Sequence, residues 1–231
     1  MNLKNVLVLG SKPDSNLPDI NVDKIYTANG AAERAYNYRK KYPSTPLACL
    51  VGASEFVRNY RVSTRIIKSH PERLIVRGAM GLPKELENHC ELTCFNEKEQ
   101  WNFQKKFFRF GGLTIINAEF FYRTNYLQKM IHLLKHFKHN NFQGVSTGFY
   151  SILLAIEENP NANIIISGIG MVGGPQFYQS ERSKIFDYFP RARVDRFLIK
   201  KMHKNFKKQM FSLDEGLVQI ANITLWNGKT I

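Results

Sequence analysis

At 231 residues the chain has the length of one large domain. A hydrophobic content of 43% excludes a disordered chain, and three cysteines exclude a disulfide-built scaffold. The formal net charge of +14 asks for an anionic partner (nucleic acid, an anionic membrane surface or an acidic small molecule) or reflects a generally basic surface.

Cys49, Cys90 and Cys94 cannot all pair, which points to a reducing compartment. The apolar run from Val6 to Gly10 is too short for a secretory segment. No stretch approaches the roughly 20 apolar residues that span a bilayer. The expectation is a cytoplasmic protein.

In chain order, Asn5–Leu9 reads as a buried strand ending at Gly10, and the polar run 11–17 as a turn. A second strand, Lys24–Ala28, closes at Asn29-Gly30. Ala31–Lys41 reads as a helix, with Pro43 and Pro46 beyond its end. Leu47–Val51 is a third strand, after which Ser54 is expected to cap a helix. Arg73–Val76 is a fourth strand, and Cys90–Phe95 a candidate fifth. One long helix is expected from about Ala118 to His139, because Phe120, Leu127, Met130, Ile131, Leu134 and Phe137 recur at three-and-four spacing. Ser146–Glu158 reads as an apolar helix, Asn163–Ser167 as a strand, Arg193–Phe206 as a basic helix, Asp214–Ala221 as a short helix and Ile223–Trp226 as a last strand.

Strands alternating with helices imply an α/β fold: one Rossmann-like domain over residues 1–231, with a mostly parallel sheet flanked by helices. Ligands of such sheets bind outside the carboxyl ends of the strands. That places candidate chemistry at Gly10–Lys12, Asn29–Gly30, Gly52–Ser54 and Gly168–Gly174. Gly10 permits close approach, Ser11 offers a hydroxyl and Lys12 a charge. The loop lacks the Gly-Lys-Ser/Thr ending of a Walker loop. Ser146, Thr147 and Gly148 open a helix, whose free amides make an anion site. Gly168-Ile169-Gly170-Met171-Val172-Gly173 matches the dinucleotide pattern GxGxxG, but Pro175 follows where a helix should start. His132, His136 and His139 share a helix without a carboxylate, and Cys90 and Cys94 lack a second ligand pair. No metal is expected.

Arg191, Arg193 and the lysines from Lys200 to Lys208 form a basic stripe, with Phe197, Leu198 and Met202 as its apolar side. The arginines are expected to precede the helix, with Arg191 or Arg193 reaching a ligand, while Lys200, Lys204 and Lys207 face solvent or an anionic membrane. A second basic run, Lys105–Phe110, interleaves aromatic residues. It supports the alternative reading of a non-enzymatic nucleic-acid- or nucleotide-binding module.

Three stretches, VLVLGSKPDS, KIYTANG and GVSTGFYSILLAIEENPNANIIISGIGM, together resemble the lipo-oligosaccharide sialyltransferases of glycosyltransferase family 42. The likeness is densest over residues 144–171. It implies a Rossmann-like domain with a small lid, and inverting transfer of an acidic sugar, of sialic acid or Kdo type, from a CMP-activated donor. That donor is a substrate; no cofactor or obligatory metal is implied. Ser11 and Asn29 would touch the nucleotide. Ser146, Thr147 and Gly148 would hold phosphate or carboxylate, and Gly168 and Gly170 would admit cytidine. The acceptor would be a glycan or glycolipid, with peripheral contact at the inner membrane face and no nucleic acid. The family's histidine base has no counterpart in FPRARVDRFL. Asp195, Arg191 and Arg193 stand there instead as the candidate catalytic residues.

Overall fold

A computed structural model describes residues 4–12, 15–122, 125–139, 144–172 and 190–228, without the side chains of residues 122, 132, 135–139, 172, 190 and 191. Eight strands form one sheet: β1 (Asn5–Leu9), β2 (Lys24–Ala28), β3 (Leu47–Gly52), β4 (Arg73–Arg77), β5 (Glu91–Phe95), β6 (Asn163–Ser167), β7 (Met210–Ser212) and β8 (Thr224–Leu225). Every pairing is parallel, in the order β5-β4-β3-β2-β1-β6-β7-β8. The helices are α1 (Ala32–Lys41), α2 (Ala53–Arg58), α3 (Tyr60–Lys68), α4 (Glu97–Lys105), α5 (Gly112–Tyr122), α6 (Tyr126–His139), α7 (Thr147–Glu158), α8 (Pro190–Lys201), α9 (Lys204–Lys207) and α10 (Glu215–Ala221). None of the described helices is long and apolar enough to cross a membrane.

The apolar strands are explained by burial on both faces. In β1, Val6 and Val8 point to one side, where α7 lies, while Leu7 and Leu9 point to the other, with Ala32 and Ala35 of α1. The α7 helix has eight consecutive buried residues, Phe149–Ile156, and packs across β1, β2, β3 and β6. It is a core helix, which accounts for its lack of a polar face.

Several expectations need correction. The long helix over Ala118–His139 is two helices. Asn125 opens the second, its side chain accepting from the Leu127 amide at 2.9 Å, a local bond that competes with helix continuation. The basic helix is also two. It starts at Pro190, a residue suited to a first turn, and so places Arg191 and Arg193 within it. It ends at Lys201, whose carbonyl accepts from the Arg109 amide, while the His203 amide donates to the Phe107 carbonyl. Ser54 does not cap α2; Gly52 precedes that helix and supplies no side-chain cap. The three-residue strand β7 had no signal, lying in a charged stretch too short to show alternation.

Candidate functional site

The chain order of the strands reverses at β1. From β1 the chain builds outward through β2 to β5, then returns to β1's other side with β6. Ligand crevices of open parallel sheets form at such a switch point, outside the carboxyl ends. Here the loops after β1 and β6 touch. The Gly10 amide donates to the Ser167 carbonyl at 2.8 Å, and the Lys12 amide to the Gly168 carbonyl at 3.0 Å. A Cβ on Gly10 would fall 2.1 Å from the Gly168 carbonyl oxygen. A Cβ on Gly168, whose φ is +70°, would fall 2.4 Å from Ser15 Oγ and 2.7 Å from an Arg34 nitrogen. Gly10 is therefore demanded by the protein's own backbone crossing, and Gly168 by its left-handed backbone beside Ser15 and Arg34.

Arg34 of α1 fastens this crossing. Its guanidinium donates to the Gly10 carbonyl at 3.3 Å, to the Ser15 carbonyl and to the Ser167 hydroxyl at 3.3 Å. Asp214, just before α10, fastens the other side by accepting from the Gly168 amide at 2.9 Å. Its second oxygen lies 3.7 Å from Lys12 Nζ, in a pair whose lysine is 35% exposed at the side chain. Neither Arg34 nor Asp214 stood out in the sequence. Each belongs to no motif, and its partners lie far away in the chain.

The start of α7 joins the same edge. A Cβ on Gly148 would meet Ile169 Cδ1 at 3.2 Å, so the helix begins against the β6 loop. Ser146 is its N-cap and accepts from the Phe149 amide at 3.2 Å. The Ser146 amide donates to Asp195 of α8 at 3.0 Å. Asp195 is 3% exposed. It positions the helix start and is not open to a solvent-borne acceptor. By helix geometry the Thr147 and Gly148 amides have no carbonyl within the helix, and both residues are half-buried. Across the sheet, Arg77 at the end of β4 donates to the Val145 carbonyl at 2.9 Å.

The structure thus brings Gly10, Ser11, Gly148 and Gly168 close together, with Ser146 and Thr147 beside them. Asn29 shares the carboxyl edge but lies at the end of β2, on the far side of β1 from β6. Its left-handed φ of 53° suits asparagine at the start of a short 3-10 turn. Gly170 is exposed, and a Cβ there would meet nothing. It opens a single 3-10 turn, Gly170–Val172, where the dinucleotide pattern requires a long helix. The pattern's last glycines and Pro175 lie outside the described residues.

Arg193 is exposed on α8, and the Arg191 side chain lies outside the described residues. Lys200 and Lys204 are exposed, as expected. Lys207 is not: its ammonium donates to the Ala221 carbonyl at 2.9 Å, at the end of α10, and burial lowers its pKa. In the second basic run, Phe107 and Phe108 are core residues and Gln104 accepts from the Val145 amide at 2.8 Å. That run offers Phe110 alone as an exposed ring. Burial pushes the Cys49 and Cys90 thiols up to about 11, so neither is an activated nucleophile. The His132, His136 and His139 side chains lie outside the described residues, among which no cluster of three metal-ligating side chains occurs. No protein-family model matches the chain, and no curated protein or solved structure matches it.

Proposed function

We propose that the chain is a glycosyltransferase that moves an acidic sugar, of sialic acid or Kdo type, from a CMP-activated donor to a glycan or lipid-linked acceptor. The observation that carries this reading is the convergence at the switch point of Lys12, the Ser146–Gly148 helix start and the loop that follows β6. In the transfer, an acceptor hydroxyl attacks the anomeric carbon, the bond to the CMP phosphate oxygen breaks with its electron pair, and the acceptor's proton leaves to a base. Charge builds on the departing phosphate. An ammonium and helix amides aimed at that phosphate are the groups that stabilise it. Asp195 and Asp214 act as positioning residues, because each holds a backbone amide of the crevice. The nucleic-acid alternative loses its aromatic platform, since Phe107 and Phe108 lie in the core.

Thermal-shift measurements with CMP, UMP, AMP and NAD test the reading. Ligand at a hundred times its Kd stabilises by about 2.7 kcal/mol, worth roughly 5–10 °C in a chain of this size. CMP is expected to give that shift, and Lys12→Ala to weaken CMP binding about tenfold without changing the unliganded melting temperature. Stabilisation by NAD but not CMP would make the crevice a dinucleotide site.

A further inference from the structure

Five of the seven apolar residues of α6, Tyr126, Leu127, Met130, Ile131 and Leu134, fall on one arc of about 140° at 100° per residue. In a globular protein such an arc faces the core. Here it faces outward: the five are 73%, 65%, 40%, 43% and 64% exposed. The half-buried side chains among the described residues of the helix are Leu133 and Lys129, whose ammonium lies 5.1 Å from the centre of the Phe120 ring. Phe121, near the end of α5, is exposed as well. An exposed patch of this kind marks a docking surface.

The charge of the helix selects the occupant. The sequence YLQKMIHLLKHFKH holds three lysines and three histidines and no acidic residue. A helix with an exposed apolar face, three lysines and no carboxylate has the make-up of helices that lie in the plane of an anionic lipid surface. We propose that α6 is such a helix and attaches the protein to anionic membranes through Tyr126, Leu127, Met130, Ile131 and Leu134.

The position of the helix gives this attachment a direction. The insertion containing α6 is tied at both ends to the carboxyl edge of the sheet. Glu119 of α5 accepts from the Gly144 amide at 2.8 Å, and α7 begins three residues later. The proposal therefore places the edge that carries the switch-point crevice, and not the amino edge, nearer the lipid. The attachment is independent of what the crevice binds.

Flotation of the full-length protein tests the proposal, using vesicles of phosphatidylcholine and of its equimolar mixture with phosphatidylglycerol. The protein is expected to float with the mixed vesicles and about tenfold less with the neutral ones. Leu127→Glu/Leu134→Glu is expected to reduce flotation with mixed vesicles about tenfold or more, at an unchanged melting temperature, because both side chains are exposed. Lys204→Gln/Lys208→Gln, on the exposed stripe beyond α8, is expected to leave most of the flotation in place. Three results would each overturn the proposal: no flotation of the wild-type chain, flotation of the leucine variant at the wild-type level, or a wild-type dimer in sedimentation velocity that the leucine variant converts to monomer. The last would make the face an interface between two copies.

Discussion

The two ends of α7 meet opposite edges of the sheet and are built in opposite ways. At the amino edge, Glu158 is surrounded by donors: the Tyr26 hydroxyl, Lys24 Nζ at 3.1 Å and Arg73 at 2.6 Å. Asn159 adds a bond to Tyr26 at 3.2 Å. That end is closed, tying the helix across the starts of β2 and β4. At the carboxyl edge, backbone amides donate to carboxylates and to a serine hydroxyl, and the first helix amides have no carbonyl partner within the helix. The closed end holds the helix in place. The open end is held by Asp195 and Glu119 through the Ser146 and Gly144 amides, and leaves the Thr147 and Gly148 amides without a carbonyl in the helix, the groups that an anion at a helix start would meet.

The harshest way to break this contrast is to fill the crevice's backbone crossing. Gly10→Ala puts a methyl 2.1 Å from the Gly168 carbonyl oxygen, in backbone that has no rotamer to yield. A loss of about 3 kcal/mol or more is expected in urea denaturation. Gly170→Ala, with open space around it, is expected to change stability by less than about 0.5 kcal/mol. If the two variants were equally mild, the loops after β1 and β6 would not be held in the close contact that requires Gly10.

A milder break addresses the closed end. Burial opposes ionisation of Glu158, but the Tyr26 hydrogen bond and the Lys24 and Arg73 charges outweigh it and hold the carboxyl below its ordinary 4.5. The folded state then binds this proton less readily than the unfolded chain. The stabilisation is complete above the unfolded value and disappears as pH falls through the folded one. Glu158→Gln is expected to cost about 1–2 kcal/mol at pH 7. In denaturation at successive pH values, its difference from wild type should shrink below pH 4.5. A difference that stayed constant into acid would assign the cost to packing.

The sheet was legible because buried parallel strands are short apolar runs between turn residues. The spans of β1, β2 and β6 are visible in NVLVL, KIYTA and NIIIS. The crevice was half legible. Glycines and the Ser-Thr-Gly helix start announce themselves, but the reason for Gly10 and Gly168 is a contact between loops separated by more than 150 residues. Arg34 and Asp214 carry no local pattern at all. The α6 face shows the limit from the other side. Three-and-four spacing reports that a helix has an apolar stripe, and the same stripe arises whether the face meets a core or leaves it.

The smallest effect repeats the contrast of α7 on a shorter helix. The N-terminal side of α10 belongs to the open edge, where Asp214 holds the Gly168 amide. Its far end is closed by Lys207, which donates to the carbonyl of Ala221, the helix's last residue. Unpaired carbonyls at a helix end carry partial negative charge, and a nearby cation is worth roughly 0.3–1 kcal/mol. Burial opposes the charged form of Lys207 and lowers its pKa, so the net gain sits at the low end of that range. Lys204, three residues earlier and exposed, has no such role. Lys207→Gln is therefore expected to cost about 0.5 kcal/mol and Lys204→Gln nothing measurable, neither change affecting CMP binding. Urea midpoints at matched slope separate the two. Equal midpoints would return Lys207 to the solvated stripe in which the sequence placed it, and leave α10 without a closed end such as the one Glu158 gives α7.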